Sequence, residues 1–201
     1  MDLSYKVTNL FPSSIHRLGI NNFNDYKNKL VEETYQERNE DPKGRKISNR
    51  GGWQSDEIEI RQCKSETLKK IIVDSLSNFE PMSEKVSMFV EGWKNINGPG
   101  NFNVRHNHPR SDLSGVLWIK TPKNSGNIVF TSPHFFNRYQ EIDSYTDEFK
   151  YNSNSYISYY FIPKEGHILI FPSFLEHEVD INKSDEDRIS YSFNIKLIHE
   201  K

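Results

Sequence analysis

The sequence has a single cysteine, Cys63, and no long hydrophobic run. One cysteine can form neither a disulfide within the chain nor a thiolate zinc cluster, and it fits a reducing, intracellular setting. No stretch approaches the roughly 18 consecutive apolar residues that a membrane span needs, and residues 1–10 lack the pattern of a signal peptide. We therefore expect a cytoplasmic protein that has no membrane partner.

Neither sign of charge is in excess, since 26 Lys and Arg are set against 28 Asp and Glu, for a net charge of -2. This balance gives no global reason to expect nucleic-acid binding, although it leaves room for a small charged ligand. The 201 residues are enough for one domain with a substantial core.

Hydrophobic periodicity predicts two helices in the first part of the chain. Apolar residues recur at intervals of three to four between Asn22 and Asn39 and again between Glu66 and Phe79, where Ser65 is a candidate cap. A glycine-bearing turn delivers Trp53, which we expect to fill the core. We predict one domain, in which residues 1–82 form a helical and strand support region and residues 83–201 form a β core.

From Val86 onward the pattern changes to a period of two, with β-branched and aromatic residues. Short strands separated by turns, after a helical start, predict a mainly β fold with N-terminal helices: a jelly roll of the double-stranded β-helix, cupin-like kind. We expect Trp118, Tyr159 and Tyr160 to be core residues, and we expect the polar segment Tyr139–Asn154 to be a long loop or lid. The predicted strands are Val86–Trp93, Phe102–His106, Leu113–Lys120, Asn127–Thr131, Tyr156–Ile162, His167–Phe171, Glu176–Asp180 and Arg188–Ile198.

Two histidines one residue apart, His106 and His108, lie on the same side of an extended segment because side chains alternate along a strand. Double-stranded β-helix proteins hold a metal between such a pair and a third ligand from a late strand. His177 follows His108 by 177 − 108 = 69 residues and can supply that third ligand. Three protein ligands leave positions open on iron for a co-substrate and for oxygen. We predict an Fe(II) site at His106, His108 and His177.

A second anchor follows on the last predicted strand. Arg188 comes 188 − 177 = 11 residues after His177, and Ser190 lies on the same face of the same strand. A guanidinium and a hydroxyl two residues apart can clamp a carboxylate, which suits the distal carboxylate of 2-oxoglutarate. The 2-oxo acid end would then chelate the iron. The alternative is a surface ion pair between Arg188 and Asp185 or Asp187.

Taken together, these residues resemble a known family, the 2-oxoglutarate and iron(II)-dependent oxygenases found in bacteriophages and marine bacteria. The resemblance extends from Phe11 to about Ile195. It implies a double-stranded β-helix, iron at the His-x-His and late-His positions, and 2-oxoglutarate held by the Arg-x-Ser strand, with molecular oxygen as the second co-substrate. The motifs that carry it are Ser48-Asn49-x-Gly51-Gly52-Trp53-Gln54-Ser55, Trp93–Asn97, His106-x-His108-Pro109 with Ser114-Gly115-Val116, Ser125-Gly126, Gly166, Phe171-Pro172-Ser173, His177-x-Val179 and Arg188-Ile189-Ser190-x-Ser192-Phe193-Asn194.

The chain departs from the family pattern at two places. Better-known relatives have His-x-Asp where this chain has His106-x-His108, so the usual carboxylate is replaced by a neutral imidazole and the metal centre is one unit more positive. An alternative is that Asp112 supplies the carboxylate. Where relatives carry Asp-Pro-Arg after a hairpin, this chain has Ser132-Pro133-His134, which leaves the role of that segment toward the substrate open.

The sequence therefore predicts an oxygenase that hydroxylates its substrate with release of succinate and carbon dioxide. The sequence does not identify that substrate. Two other functions stay open. One is a three-histidine, cupin-type metal enzyme that does not use 2-oxoglutarate, and the other is a noncatalytic jelly-roll binding module.

Overall fold

The structure, a computed structural model, describes residues 4, 6–79, 86–134 and 144–199. Within these ranges the helices are α1 (Asn24–Glu40), α2 (Glu66–Ser77) and α3 (Asp147–Ser153), with a 3₁₀ turn at Ile60–Gln62. The strands are β1 (His16–Gly19), β2 (Asn49–Arg50), β3 (Trp53–Gln54), β4 (Ile58–Glu59), β5 (Val86–Asn97), β6 (Phe102–His106), β7 (Leu113–Lys120), β8 (Ile128–Thr131), β9 (Ser158–Phe161), β10 (His167–Pro172), β11 (His177–Val179) and β12 (Arg188–His199).

In the described part of the chain, the strands form two antiparallel sheets. The larger sheet has the order β1-β10-β7-β12-β5-β3, with β4 also paired to β5, and the smaller sheet has the order β2-β6-β11-β8-β9. The chain crosses repeatedly between the sheets as it advances through β5 to β12, which is the topology of a double-stranded β-helix jelly roll. The predicted fold class is confirmed.

The two faces of the larger sheet have different partners because side chains alternate along each strand. On the outer face, Leu117, Ile168 and Ile189 are each 0% exposed and pack with α1 and α2. The inner face turns toward the smaller sheet, where a second apolar cluster contains Val116, Trp118, Ile128, Phe130, Leu169, Phe171 and Leu175. The helices therefore cover one side of the jelly roll and leave the space between the sheets to the site.

The two predicted helices and the predicted burial of Trp53 agree with the structure. Both helices form close to the predicted bounds, and the hydroxyl of Ser65 caps α2 by accepting a hydrogen bond from the Leu68 N–H at 3.1 Å. Trp53 is buried at 8% exposure, and its indole N–H donates to the Asp41 carbonyl at 2.8 Å. The predicted boundary at residues 82 and 83 lies outside the described residues.

Two expectations about aromatic residues were wrong. Tyr159 and Tyr160 are 56% and 59% exposed, because β9 is an edge strand of the smaller sheet and the described residues do not cover it. Trp118 is buried at 5% exposure, as expected.

The segment Tyr139–Asn154 was expected to be a long loop or lid. Residues 139–143 lie outside the described residues, and the remainder contains the short helix α3.

Candidate active site

Three imidazoles meet at one end of the smaller sheet. His106 at the end of β6 is the direct cross-strand partner of His177 at the start of β11, and their ring centroids are 4.4 Å apart. His108, two residues beyond His106, places its ring 5.1 Å from that of His106 and 5.2 Å from that of His177. One nitrogen from each ring can be chosen so that all three lie within 4.8 Å of one another. The structure thus brings the three predicted histidines together.

Backbone carbonyls orient two of these rings. The Nδ1 atoms of His106 and His177 lie 2.7 Å and 2.9 Å from the carbonyl oxygens of Val104 and Leu175, each two residues earlier in the chain. A carbonyl oxygen can only accept, so each Nδ1 carries the proton and donates. The Nε2 atoms consequently keep free lone pairs, which is the tautomer that a metal ligand requires.

Burial keeps these rings neutral. Desolvation lowers the pKa of His177 to about 3 and that of His108 to about 4, with the neighbouring histidines as a smaller cause. The pKa of His106 is also lowered by desolvation, against a hydrogen bond to Val104 that raises it. Three neutral nitrogen donors in a largely buried site are a suitable ligand set for a divalent transition metal.

Arg188 lies at the other side of the same cavity, at the start of β12. It is 2% exposed, and burial lowers its pKa only to about 10, so it is charged at neutral pH. Its hydrogen bonds within the described residues all leave from Nη1, to the carbonyls of Ser125 and, at 3.4 Å, of Asp180. Neither of the two predicted alternative partners, Asp185 and Asp187, forms an ion pair with Arg188, and Asp187 instead binds Arg38 and Tyr35. The surface ion-pair interpretation of Arg188 is therefore wrong.

A glycine makes room for this guanidinium. Gly126 has φ +92°, a conformation that side chains other than glycine's rarely adopt. A Cβ at this position would approach Arg188 Nη1 and the backbone carbon of Asp180 to 2.9 Å each. The Ser125-Gly126 turn thus both accepts a hydrogen bond from Arg188 and leaves it space.

The wall between the histidines and Arg188 is unusually polar for the interior of a jelly roll. Ser190, predicted as part of the clamp, lines the cavity. Alternate residues of β5 and β12 and two residues near β6 add further polar groups that the sequence reasoning did not single out as site residues: Ser48, Asn95, Asn97, Asn103 and Ser192. The usable signal was their spacing of two, because it puts amides on a strand face that the fold would otherwise fill with apolar side chains.

Asp112, the alternative source of a carboxylate, points elsewhere. Its Oδ2 accepts a hydrogen bond from the Leu197 N–H at 2.8 Å, and Asp112 itself is exposed. It belongs neither to the described group of clustered metal-ligating side chains nor to the cavity lining. The geometry favours His108 over Asp112.

The donor set fits an iron ion and a 2-oxo diacid on physical grounds. A cluster of neutral imidazole nitrogens suits Fe(II), and a buried guanidinium without a carboxylate partner costs several kcal/mol unless an anion joins it. Nη2 and Nε of Arg188 are the groups left for such an anion. The cavity measures about 50 Å³.

Comparison with known families agrees with this chemistry. Residues 91–194, just over half of the chain, match the family described as "Putative 2OG-Fe(II) oxygenase", and the matched span runs from β5 to β12. The chain belongs to this family. It is therefore an Fe(II)- and 2-oxoglutarate-dependent oxygenase by membership, with iron and 2-oxoglutarate as the cofactor and co-substrate of the family.

Solved structures of similar fold include a Pseudomonas putida prolyl-4-hydroxylase, with a TM-score of 0.62, 16% identity and 92% of each chain covered. They also include the α-ketoglutarate-dependent carbocyclase SnoK from nogalamycin biosynthesis, with a TM-score of 0.61, 9% identity, and 94% of this chain and 82% of that chain covered. A third is a prolyl hydroxylase from Trichoplax adhaerens in complex with a hypoxia inducible factor peptide, with a TM-score of 0.61, 12% identity, and coverage of 90% and 83%. At these identities the likeness concerns the fold.

Comparison with curated protein sequences gives no match. Among the described helices, none has the length and hydrophobicity to cross a membrane.

Proposed function

We propose that the protein hydroxylates an organic substrate, with Fe(II) bound by His106, His108 and His177 and 2-oxoglutarate bound by Arg188 and Ser190. The overall reaction takes substrate R–H, 2-oxoglutarate and O₂ to R–OH, succinate and CO₂, so that one oxygen atom enters the product and the other enters succinate. The observation that carries the proposal is that one cavity holds both a three-histidine cluster and a buried arginine, Arg188, which forms no ion pair with any described residue.

Each residue has a defined part in this scheme. The Nδ1–H bonds to Val104 and Leu175 keep the Nε2 lone pairs of His106 and His177 directed at the metal position. Arg188 binds the distal carboxylate through the N–H groups that no described residue occupies, and Ser190 donates its hydroxyl proton to the same carboxylate. When bound, iron supplies oxygen activation at the expense of the 2-oxo acid.

The walls of the cavity limit the entry of water. Phe171 and Trp118 are buried, and Trp93 approaches His108 with ring centroids 5.8 Å apart. A dry, preorganised site favours hydroxylation of the bound substrate over side reactions of the activated oxygen. The described residues of this cavity include no carboxylate, so the charged Arg188 gives the site an electropositive interior.

Formation of succinate tests this proposal. Purified protein supplied with Fe(II), 2-oxoglutarate and air should convert 2-oxoglutarate slowly to succinate even without its primary substrate, and His177→Ala should abolish the conversion. Tyr151→Ala, a change at a 74% exposed tyrosine of α3, is the control and should leave it intact. Iron-loaded protein that binds metal but forms no succinate, and whose stability does not respond to 2-oxoglutarate, would favour the three-histidine enzyme that works without this co-substrate.

Protein that takes up no metal at all would favour a noncatalytic binding module.

A phage origin and a location in the host cytoplasm are further proposals. Measuring the protein in cell fractions from phage-infected bacteria would test both.

A further inference from the structure

A second and larger cavity lies beside the histidine cluster. It measures about 400 Å³, which is the size range of small-molecule sites. Its walls come from β8, β9, the residues before β1 and the Ser132-Pro133-His134 segment. Phe130 and Leu175 also line it, and both contact the metal-site region: the Phe130 ring lies 5.8 Å from that of His177, and the Leu175 carbonyl accepts the His177 Nδ1–H. Phe130 and Leu175 thus lie between this cavity and the histidine cluster.

The sheet register shows how this cavity relates to the metal position. His106 pairs with His177, His177 pairs with Phe130, and Phe130 pairs with Tyr159. Directly paired residues of antiparallel strands project to the same face, so these four side chains form one row on the inner face of the smaller sheet. Tyr159 lies two strand spacings, or about 10 Å, from His177. A molecule seated against Tyr159 can therefore extend a reactive group along this row toward the metal position.

The charge of the cavity has one sign. Arg17 on β1 lines it, whereas no Asp or Glu does so among the described residues. Arg17 forms no ion pair with any described residue, and its guanidinium carbon lies 5.9 Å from the centroid of the Phe161 ring. A cation held over an aromatic ring at a cavity rim, without an acidic partner, is suited to bind an anion.

Four aromatic side chains also line the cavity: Phe130, Tyr156, Tyr159 and Phe161. Tyr159 lies on the inner face of the edge strand β9, is 56% exposed and lines this cavity. Its ring centroid lies 5.3 Å from that of Phe161 and 6.0 Å from that of Tyr156. Exposed aromatic faces of this kind bind flat, unsaturated groups by stacking.

We propose that this cavity, between Arg17, Tyr159 and the Ser132–His134 segment, binds the primary substrate, and that the substrate is a small molecule with a flat unsaturated group and a carboxylate or phosphate. This inference rests on the proposed function for its placement beside the metal. It assigns Arg17 to the anionic group and Tyr159 to the flat group. Both are binding residues, whereas Phe130 and Leu175 separate the bound molecule from the co-substrate.

A pair of chemical probes tests the charge and the shape of this site. Binding of 2-naphthoate and of its neutral analogue 2-naphthamide is measured on the metal-free protein by calorimetry or ligand-observed NMR. The naphthoate should bind at least about tenfold more tightly than the amide, since only the anion gains a charge-assisted bond to Arg17. Arg17→Gln should remove this difference, and Tyr159→Ala should weaken both probes by about tenfold.

Matched controls separate the cavity from general surface effects. Arg61→Gln and Tyr151→Ala alter residues that are 82% (side chain) and 74% exposed and that do not line the cavity, so neither should change binding. Circular dichroism and melting curves should show that all four variants are folded. Equal binding of both probes, no binding, or loss of binding in the control variants would overturn the proposal. So would an acidic peptide that binds at Arg17 and Tyr159 when the naphthoate does not.

Metal substitution distinguishes failure of this inference from failure of the proposed function. Bound Mn(II) should broaden the naphthoate proton signals, as expected for a separation on the order of 10 Å, whereas diamagnetic Zn(II) should not. Mn(II) that binds at the histidines and responds to 2-oxoglutarate without affecting the naphthoate would overturn the substrate cavity alone. Protein that binds neither Mn(II) nor 2-oxoglutarate would contradict the proposed function, and the calorimetric comparison of the two probes would still decide about the cavity.

Discussion

His106 and His177 face each other directly across neighbouring antiparallel strands, with ring centroids 4.4 Å apart and each Nδ1 tied to a carbonyl of its own chain segment. Their separation of 177 − 106 = 71 positions makes this a long-range contact that only the completed jelly roll can form. The Nδ1 hydrogen bonds join residues two positions apart, whereas the pairing of His106 with His177 joins distant parts of the chain. Their combination orients two nitrogen lone pairs into one cavity.

Arg188→Gln should weaken 2-oxoglutarate binding by about 10- to 100-fold, because the charged hydrogen bonds to a carboxylate are worth about 1.5–3 kcal/mol. Metal binding should be unchanged. Anaerobic calorimetry of Mn(II)-loaded protein measures both quantities. Arg45→Gln is the matched control, since Arg45 pairs with Glu57 away from the cavity. Equal losses in the two variants would contradict the role of Arg188.

Separate substitution of His108 and of Asp112 by alanine decides which of the two residues completes the metal site. His108→Ala should lower Fe(II) affinity by more than about 100-fold, since even loss of a residue that supports a ligand typically costs 10- to 100-fold. Asp112→Ala should leave iron binding intact and cost about 1 kcal/mol of stability through its lost bond to the Leu197 N–H. Anaerobic metal analysis after gel filtration gives the answer, and the reverse outcome would restore Asp112 as a ligand.

Substitution of two glycines that have similar φ angles distinguishes the cost of backbone strain from the cost of a steric clash. Gly126 and Gly100 have φ of +92° and +80°, but a Cβ at Gly100 would meet nothing within 4 Å. Gly100→Ala should cost about 1–2 kcal/mol from its backbone conformation alone. Gly126→Ala should cost at least about 1 kcal/mol more and should also weaken 2-oxoglutarate binding, because the new methyl group displaces Arg188. Urea unfolding and calorimetry measure the two effects. Equal effects of both substitutions would show that Gly126 does not shape the site.

Leu68→Ala tests the proposal that residues 1–82 and 83–201 belong to one domain. Leu68 on α2 is 0% exposed and belongs to the same apolar cluster as Leu117 and Ile189 of the larger sheet. The substitution should lower stability by about 2–5 kcal/mol and shift a single cooperative transition. Calorimetry that resolves two transitions, with only one of them shifted, would show that the support region folds separately.

Much of the fold could be predicted because local pattern and tertiary structure agree. The periodic apolar residues of α2, its Ser65 cap and the nearly continuous apolar run of β7 each have one structural solution, and the structure adopts it. The two tyrosines of β9 were predicted wrongly for a reason that sequence cannot show. Whether Tyr159 and Tyr160 are covered depends on which strand lies at the sheet edge, and that follows from the assembled topology.

The histidines, the arginine and the serine of the site could be predicted from the sequence, whereas its asparagines could not. His106, His108, His177, Arg188 and Ser190 have spacings that point to metal and carboxylate chemistry, and the structure brings them into one cavity. Asn95, Asn97 and Asn103 become site residues only when β5 and β6 turn the same faces inward. The Asp112 alternative could be set aside only with the hydrogen bond to Leu197 in view, because that bond joins residues distant in sequence.

Anaerobic titration of the protein with Fe(II) and then with 2-oxoglutarate tests the central claim most directly. We predict one equivalent of iron and, on addition of 2-oxoglutarate, a weak visible charge-transfer band of a chelated 2-oxo acid that saturates at one equivalent. His177→Ala should not develop the band, and Arg188→Gln should develop it only at higher 2-oxoglutarate concentration. Iron-loaded wild-type protein that shows no such band would contradict the assignment of this cavity as an iron and 2-oxoglutarate site.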